Sequence, residues 1–175
     1  MSTVFFRMSP QLKFLKELKT GELCIGFETD TLITSGVGSC VVLCMWDPTL
    51  KIGAMAHMFQ SSREVIDSTQ LNSDGASPDT AIPYLLQRMI GLRVKQNDIQ
   101  TRLIGAGNMF ATVEDGSSGD VGKGILSSTM LALTRAGLTL RSQSVGGSLG
   151  RSVRFSVNSG LIQVRLTNGE TVTLR

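Results

Sequence analysis

The sequence has few aromatic residues, a single histidine and no long apolar segment. One tryptophan, one tyrosine and seven phenylalanines make up 5% of the 175 residues, too few for the base-stacking platform of a nucleic-acid binder. No uninterrupted apolar run approaches the roughly 18 residues that suggest a membrane-spanning helix. The amino-terminal residues are followed by Lys13, Lys16 and Lys19 rather than by the apolar core and cleavage site of a signal peptide. We therefore expect a cytoplasmic protein that neither inserts into a membrane nor binds nucleic acid.

Cysteine is scarce as well, and its spacing argues against disulfides and metal binding. The three cysteines, Cys24, Cys40 and Cys44, form an odd set. On a common strand, Cys40 and Cys44 would lie roughly 13 Å apart at about 3.3 Å per residue, beyond the reach of a disulfide. We therefore expect reduced thiols. The lack of further histidines or paired cysteines excludes a zinc site.

Charge is nearly balanced over the whole chain but not along it. Seventeen lysines and arginines against fourteen acidic residues give a formal charge of +3, too small for a dedicated nucleic-acid binder. From Val121 to the last residue, the sequence has seven basic side chains and one acidic side chain, Glu170. This basic end could steer an acidic protein partner, although a solvated surface without a partner explains the pattern equally well.

The hydrophobic pattern predicts a strand-rich beginning, a helical middle and a strand-rich end. One helix is predicted from about Asp79, and a second from the apolar stripe between Ile125 and Leu133, ending near Gly137. The predicted strands are 22–27, 31–35, 40–46, 51–59, 101–104, 138–145, 151–157 and 161–166. We therefore predict an α/β or α+β fold, with mixed β-sheets packed as a sandwich under two or three covering helices, in a single domain of residues 1–175.

Two glycines and three hydroxyl side chains stand directly before the apolar segment 40–46, in the run Thr34-Ser-Gly-Val-Gly-Ser-Cys40. Glycines allow positive φ and close backbone approach, which leaves the amides around Ser39 and Cys40 free to face an anion. A thiol at the first residue of the strand would lie beside donors that stabilise a tetrahedral oxyanion. The pattern is typical of a cysteine nucleophile, but a Cys40 packed in the core also fits it.

His57 is the only histidine, so a cysteine-histidine hydrolase formed by this chain alone must use His57 as its base. A hairpin around Asp47-Pro48 would bring Cys40 and His57 to the same end of two paired strands. An imidazole beside the thiol would take its proton and later protonate the leaving group. The alternative is a histidine that is simply hydrogen-bonded within a strand.

Four segments extend this pattern over most of the chain: Thr34 to Val41, Gly53 to His57, Gly105 to Phe110 and Val145 to Val153, with Phe155 and Gly160 beyond them. Their order resembles the chemoreceptor glutamine deamidases of bacterial chemotaxis, the CheD family. The most specific part of the resemblance is the Gly-Ser-Cys turn followed, seventeen residues later, by a histidine.

The resemblance implies a cysteine hydrolase that converts particular glutamine side chains in the helical bundles of chemoreceptors into glutamate. By motif position, Cys40 is the nucleophile, His57 is the base and Thr34 orients the imidazole. Gly38 and Ser39 belong to the turn whose amides would hold the oxyanion. The implied reaction passes through a thioester and needs neither a metal nor an organic cofactor.

The resemblance also implies surfaces for protein recognition. The turn formed by Gly107, Asn108, Met109 and Phe110 is interpreted as a docking site for substrate or partner, with core packing of Met109 and Phe110 as the alternative. Family members bind a CheC-type chemotaxis phosphatase, so this chain is expected to have the same kind of partner. The same scaffold acting as a methylesterase on glutamyl esters is a close variant. The competing hypothesis is a non-catalytic adaptor whose basic end binds an acidic chemotaxis partner such as that phosphatase.

Overall fold

The computed structural model of the chain describes residues 14–62, 75–108 and 121–175. Within these ranges it contains ten strands, two α-helices and a 3₁₀ turn at Gln96–Asp98. The strands are β1 (Phe14–Leu18), β2 (Leu23–Gly26), β3 (Asp30–Val37), β4 (Val41–Asp47), β5 (Ile52–Met58), β6 (Gln100–Gly105), β7 (Leu140–Val145), β8 (Arg151–Ser156), β9 (Leu161–Leu166) and β10 (Thr171–Leu174). The helices are α1 (Pro78–Gly91) and α2 (Val121–Arg135).

The strands form two five-stranded mixed sheets. Sheet 1 has the order β1-β3-β8-β9-β10, and sheet 2 has the order β2-β5-β4-β6-β7. One apolar core lies between the sheets and includes Leu32 and Phe155 from sheet 1 and Val42 from sheet 2. A second core lies between the other face of sheet 2 and the two helices. The predicted fold class, a mixed-sheet sandwich with covering helices, is therefore confirmed.

Strand β4 shows why its sequence is continuously apolar. Side chains on a strand alternate between its faces, so Val41 and Leu43 pack in the core beneath the helices while Val42 and Cys44 pack between the sheets. The predicted hairpin is also confirmed, because β4 pairs antiparallel with β5 on either side of the turn at Asp47. A strand covered on both faces has no polar side to display.

The structure corrects several predicted boundaries. Strands β1 and β10 were not predicted. The second helix ends at Arg135, and Gly137 follows it with a φ of +64°. Cys40 was expected as the first residue of its strand, but β4 begins at Val41. Because the chain must cross from sheet 1 to sheet 2 after Val37, Cys40 lies in the bend that makes this crossing.

Parts of the predicted loops, including Met109 and Phe110, lie outside the described residues. Neither helix that the structure describes is both long and apolar enough to cross a membrane.

Candidate active site

The site begins where β3 leaves sheet 1. The pairing of β3 with β8 is interrupted by a register shift between Thr34 and Val37, and Gly36 within this shift has a φ of +70°. A positive φ is inexpensive only for glycine. The bend at residues 38–40 then carries the chain to β4 in sheet 2. The Thr-Ser-Gly-Val-Gly-Ser-Cys run is therefore a connection between the two sheets at one end of the sandwich.

Thr34 and His57 meet in the layer between the sheets. Thr34 lies on β3 and His57 on β5, and the Thr34 Oγ1 atom is 2.8 Å from His57 Nδ1. The same hydroxyl donates to the carbonyl of Leu18 on β1 at 2.8 Å. Both side chains are buried, with His57 fully shielded from solvent and Thr34 1% exposed. The backbone of His57 is also fixed, because its N–H donates to Glu22 and its carbonyl accepts from Gly21.

These two hydrogen bonds define the tautomer of His57. A threonine hydroxyl has one proton, and that proton is directed to the Leu18 carbonyl. The Thr34 oxygen must then accept from His57, so the proton of the neutral imidazole is on Nδ1. The lone pair is left on Nε2, which is buried and has no hydrogen-bond partner among the described residues.

Burial sets the charge of the imidazole. It lowers the pKa of His57 below its ordinary value of 6.5, because the desolvated imidazolium is disfavoured. No carboxylate contributes to this shift, and the Thr34 hydroxyl is uncharged. His57 is therefore a neutral base near pH 7.

Cys40 lies in the bend that leads into β4, the strand that pairs with β5 and His57. Val42 pairs directly with His57, and Cys40 precedes Val42 by two residues, just outside the paired segment. The thiol is half-exposed rather than part of either core. The structure has no hydrogen bond between the thiol and His57 Nε2.

The resting thiol is neutral. Burial raises the pKa of Cys40 above its ordinary value of 9.0, while the residue's own backbone N–H acts in the opposite direction. The sulfur and the neutral imidazole therefore form an uncharged pair near pH 7. Ionisation of the thiol requires transfer of its proton to a base.

The bend offers backbone donors beside the thiol. Within the described part of the chain, the N–H groups of Gly38, Ser39 and Cys40 donate to no hydrogen-bond acceptor. The carbonyls of Gly38 and Cys40 are engaged, because they accept from Gly107 and Ala106 at 2.8 Å each. The bend therefore has its carbonyls tied to a neighbouring segment while its N–H groups remain available, an arrangement suited to an anion.

Gly105 allows this close contact. Its φ is +114°, and a Cβ added to it would lie 2.2 Å from the carbonyl oxygen of Cys40. Gly105 in turn accepts a hydrogen bond from Gly146, and Asn108 donates to Gly147, both at 2.8 Å. The glycine motifs singled out in the sequence therefore converge around the Cys40 bend.

The predicted docking turn is only partly described. Gly107 is buried against the bend, with its N–H bound to the Gly38 carbonyl. Asn108 is exposed. Met109 and Phe110 lie outside the described residues, so their assignment to docking stays a prediction.

Sequence reasoning missed two contributors to the site. The carbonyl of Leu18 determines the proton position on His57, but a backbone group on an unpredicted strand has no sequence signature. Arg151 is 7% exposed, and its guanidinium donates to the carbonyls of Gly146 and Leu149. Its position directly after the glycine-rich motif was the available signal.

The structure offers no site for a metal ion within residues 14–62, 75–108 and 121–175, since no three His, Cys, Asp or Glu side chains are grouped there.

Comparison of the sequence with known proteins identifies the family of this chain. The family model described as CheD chemotactic sensory transduction matches residues 58–166. A relative from Methanococcus vannielii is 33% identical over 153 residues, which cover 87% of this chain and 95% of the relative. The chain belongs to the CheD family. A match of this length cannot avoid residues 34–57 of a 175-residue chain, so it includes the Thr34, Cys40 and His57 positions.

Other CheD relatives agree over similar lengths. One from Desulfitobacterium hafniense is 31% identical, covering 81% of this chain and 87% of the relative. One from Thermotoga maritima is 27% identical, covering 88% and 93%. The Thermotoga protein is named a chemoreceptor glutamine deamidase, and the other two are named probable chemoreceptor glutamine deamidases. The resemblance seen in the motifs is therefore confirmed at the level of the family.

Proposed function

We propose that this CheD-family chain hydrolyses glutamine side chains of chemoreceptors to glutamate, with Cys40 as nucleophile and His57 as base. The hydrogen bond between Thr34 and His57 carries the proposal, because it leaves the Nε2 lone pair unprotonated in a buried imidazole. Chemoreceptors are the substrates named for its relatives. Thr34 is a positioning residue that acts through His57.

In the first step, His57 Nε2 accepts the proton of the Cys40 thiol while the sulfur attacks the carboxamide carbon of the substrate glutamine. Hydrogen bonds of this kind often form only in the substrate complex, which is consistent with a thiol that is not bonded to Nε2 in this structure. The new C–S bond converts the carboxamide oxygen into an oxyanion. The free N–H groups of the 38–40 bend are the donors closest to the sulfur in sequence, and we assign them to this charge.

The tetrahedral intermediate then collapses. The C–N bond breaks as the imidazolium of His57 gives its proton to the departing nitrogen, which leaves as ammonia, and a thioester remains on Cys40. A water molecule next loses a proton to His57 Nε2 and attacks the thioester carbon. The C–S bond breaks, the sulfur recovers its proton, and glutamate is released. The atoms balance with water as the only co-reactant.

The decisive experiment treats the cytoplasmic domain of a chemoreceptor with the purified protein and follows ammonia release and the amide-to-acid mass change in its peptides. Cys40→Ala and His57→Ala are expected to abolish conversion. Cys24→Ala is the matched control, because Cys24 is a half-buried thiol on β2 outside the site. Conversion that survives loss of Cys40 would disprove the nucleophile, and the absence of any conversion by the unaltered protein would disprove the activity.

The adaptor hypothesis makes a different prediction for the same thiol. An adaptor does not need a reactive cysteine, so Cys40 and Cys24 would be alkylated slowly and at similar rates. In the hydrolase, Cys40 is alkylated faster than Cys24, and the difference depends on His57. Binding of a CheC-type phosphatase is compatible with either function. Methyl esters of the receptor's glutamyl side chains, offered in the same assay, test the methylesterase variant.

A further inference from the structure

An arginine-lined groove lies on the face of sheet 1 that points away from sheet 2. It consists of two adjoining pockets. One has a volume of about 430 Å³ and includes Gly36, Arg151 and Arg165 in its lining. The other has a volume of about 340 Å³ and includes Ser35, Arg154 and Arg165. Ser152 and Arg165 line both pockets, so the two form one continuous depression, here called the arginine groove.

The positive charge of this groove is not neutralised. Among the ion pairs of the described residues, none includes Arg154 or Arg165. Among the described residues that line the groove, Glu17 is the one acidic side chain, and two strand spacings separate it from Arg154. The structure has no salt bridge between Glu17 and either arginine.

Arg151 also lines the first pocket, but strand alternation places its side chain on the face of sheet 1 that looks toward sheet 2, together with Val153 and Phe155. It is 7% exposed and its guanidinium donates only to backbone carbonyls among the described residues. Its Nε atom is buried without a partner in this part of the chain. On its own face, the groove has two exposed arginines, Arg154 and Arg165, against one glutamate, Glu17. An acidic ligand would relieve the cost of holding unpaired cations together.

The groove is close along the chain to the bend that holds Cys40. Thr34 and Ser35 line one pocket and Gly36 lines the other, and these are the first three residues of the run that ends at Cys40. Four peptide units separate Gly36 from Cys40, so their Cα atoms lie within about 15 Å at 3.8 Å per unit. A ligand in the groove is therefore a near neighbour of whatever the thiol attacks.

We propose that the arginine groove binds acidic side chains of the same protein segment that presents the reacting glutamine. This inference rests on the proposed function and adds a specificity determinant to it. A helix advances 1.5 Å per residue, so 15 Å corresponds to about ten residues. The acidic side chains should therefore lie on the same helix face as the glutamine, about three, four, seven or eight residues away.

The test compares receptor domains that keep or lose these acidic residues, with Glu and Asp replaced by Ala. The measured quantity is the ratio of kcat/KM for the acidic domain to kcat/KM for the neutralised one. Arg165→Glu is expected to lower this ratio about three- to tenfold, and Arg154→Glu with Arg165→Glu roughly ten- to thirtyfold. Lysines at the same substrate positions should be favoured by the double variant. Arg141→Glu is the control, because Arg141 is exposed on β7 and does not line the groove.

A binding assay separates failure of the groove from failure of the chemistry. The Cys40→Ala variant should bind the acidic domain more tightly than the neutralised one, and salt should weaken this preference. If binding depends on Arg154 and Arg165 but the unaltered protein converts no glutamine, the groove stands and the proposed hydrolysis fails. If the ratio and the binding preference are unchanged in the double variant, or if Arg141→Glu changes them equally, the groove proposal is overturned. Binding of a separate acidic protein in the groove, without an effect on the ratio, would overturn it too.

Discussion

The Thr34 hydroxyl oxygen lies 2.8 Å from His57 Nδ1 and, as a donor, 2.8 Å from the carbonyl of Leu18. This chain of two hydrogen bonds joins β1 and β3 of sheet 1 to β5 of sheet 2. It holds the imidazole ring, while hydrogen bonds to Glu22 and Gly21 hold the backbone of His57. In hydrolases with an aspartate at this position, the carboxylate also stabilises the imidazolium. Here the third residue fixes orientation without adding charge.

Replacing Thr34 by valine should remove the group that orients the His57 imidazole while leaving the Cys40 thiol in place. Valine has nearly the same shape but cannot accept the Nδ1 proton, so the imidazole loses its fixed tautomer. We expect kcat to fall by about 10- to 100-fold with a much smaller change in KM. Steady-state ammonia release measures both parameters.

Thr34→Ser is the matched control, since serine keeps the hydroxyl. It should retain most of kcat even though it loses the methyl group of threonine, whose packing the valine variant keeps. The proton position can be read directly from the nitrogen chemical shifts of His57, which should report Nδ1–H in the unaltered protein and a mixture in Thr34→Val. Equal losses in the two variants would mean that Thr34 acts through packing alone.

The pH dependence of activity should follow the two shifted pKa values. Burial lowers the pKa of His57 below 6.5 and raises that of Cys40 above 9.0. Since the base must be neutral, kcat/KM should rise with a midpoint below pH 6.5 and then stay level to about pH 9. A fall between pH 7 and pH 9 would contradict the neutral pair.

Thiol alkylation tests the same pair without substrate. In the His57→Gln variant, the alkylation rate of Cys40 should depend only on ionisation of its thiol. The rate should therefore increase mainly above pH 9. Cys24 provides an internal reference, because burial raises its pKa to about 11. Cys44 is fully buried and should not react in the folded protein. A Cys40 alkylation profile that is unchanged by His57→Gln would remove the imidazole from the mechanism.

The sequence predicted the fold where local patterns determine it. Strand β4 is apolar at almost every position because cores lie on both of its faces, and the helices show apolar stripes. Strand β1 was missed because it exposes Phe14 and Leu15. Its partner is β3, which is separated from it in the sequence by β2. No local alternation marks an edge strand of this kind.

The site was predictable only in part. His57 could be found by elimination because the chain has one histidine, and Thr34 only through the resemblance to a family. The Thr34–His57 contact joins different sheets, so it depends on how the sheets pack and not on any local pattern. The Leu18 carbonyl cannot be identified from the sequence for the same reason, and the motif before Arg151 does not show which carbonyls its guanidinium binds.

Gly105 offers a direct test of the backbone contact behind the thiol. In Gly105→Ala, the new Cβ would lie 2.2 Å from the Cys40 carbonyl oxygen at a φ of +114°. We expect unfolding free energy to fall by about 2–4 kcal/mol and kcat to fall with it. Urea denaturation and ammonia release measure the two effects.

Gly124→Ala is the control for this change. Gly124 is exposed within α2, and nothing lies within 4 Å of an added Cβ. Alanine should therefore stabilise the protein by about 0.5–1 kcal/mol through helix propensity and leave kcat unchanged. If Gly105→Ala is tolerated as well as Gly124→Ala, the bend at Cys40 is not held by this contact.

Arg151 should influence catalysis through the segments it ties together. Its guanidinium binds the carbonyls of Gly146 and Leu149. Next to these carbonyls, the N–H of Asn108 donates to the carbonyl of Gly147. The N–H of Gly107 donates to the carbonyl of Gly38, which belongs to the bend that holds Cys40. A lysine presents a point charge rather than a planar fork, so Arg151→Lys should recover only part of what Arg151→Met loses.

For Arg151→Met we expect kcat on a substrate with neutral flanking residues to fall by about 5- to 50-fold, because the donors around the oxyanion lose their alignment. The unpaired carbonyls should also cost about 1–3 kcal/mol of stability, so activity must be measured well below the unfolding transition. Arg141→Met is the control for losing a charge at an exposed position. A substrate with neutral flanking residues removes the contribution of the arginine groove to KM. If Arg151→Met then raises KM and leaves kcat unchanged, Arg151 has no positioning role in catalysis. A lower alkylation rate of Cys40 in a variant shown by urea denaturation to be folded would support that role, since that rate reports on the bend itself.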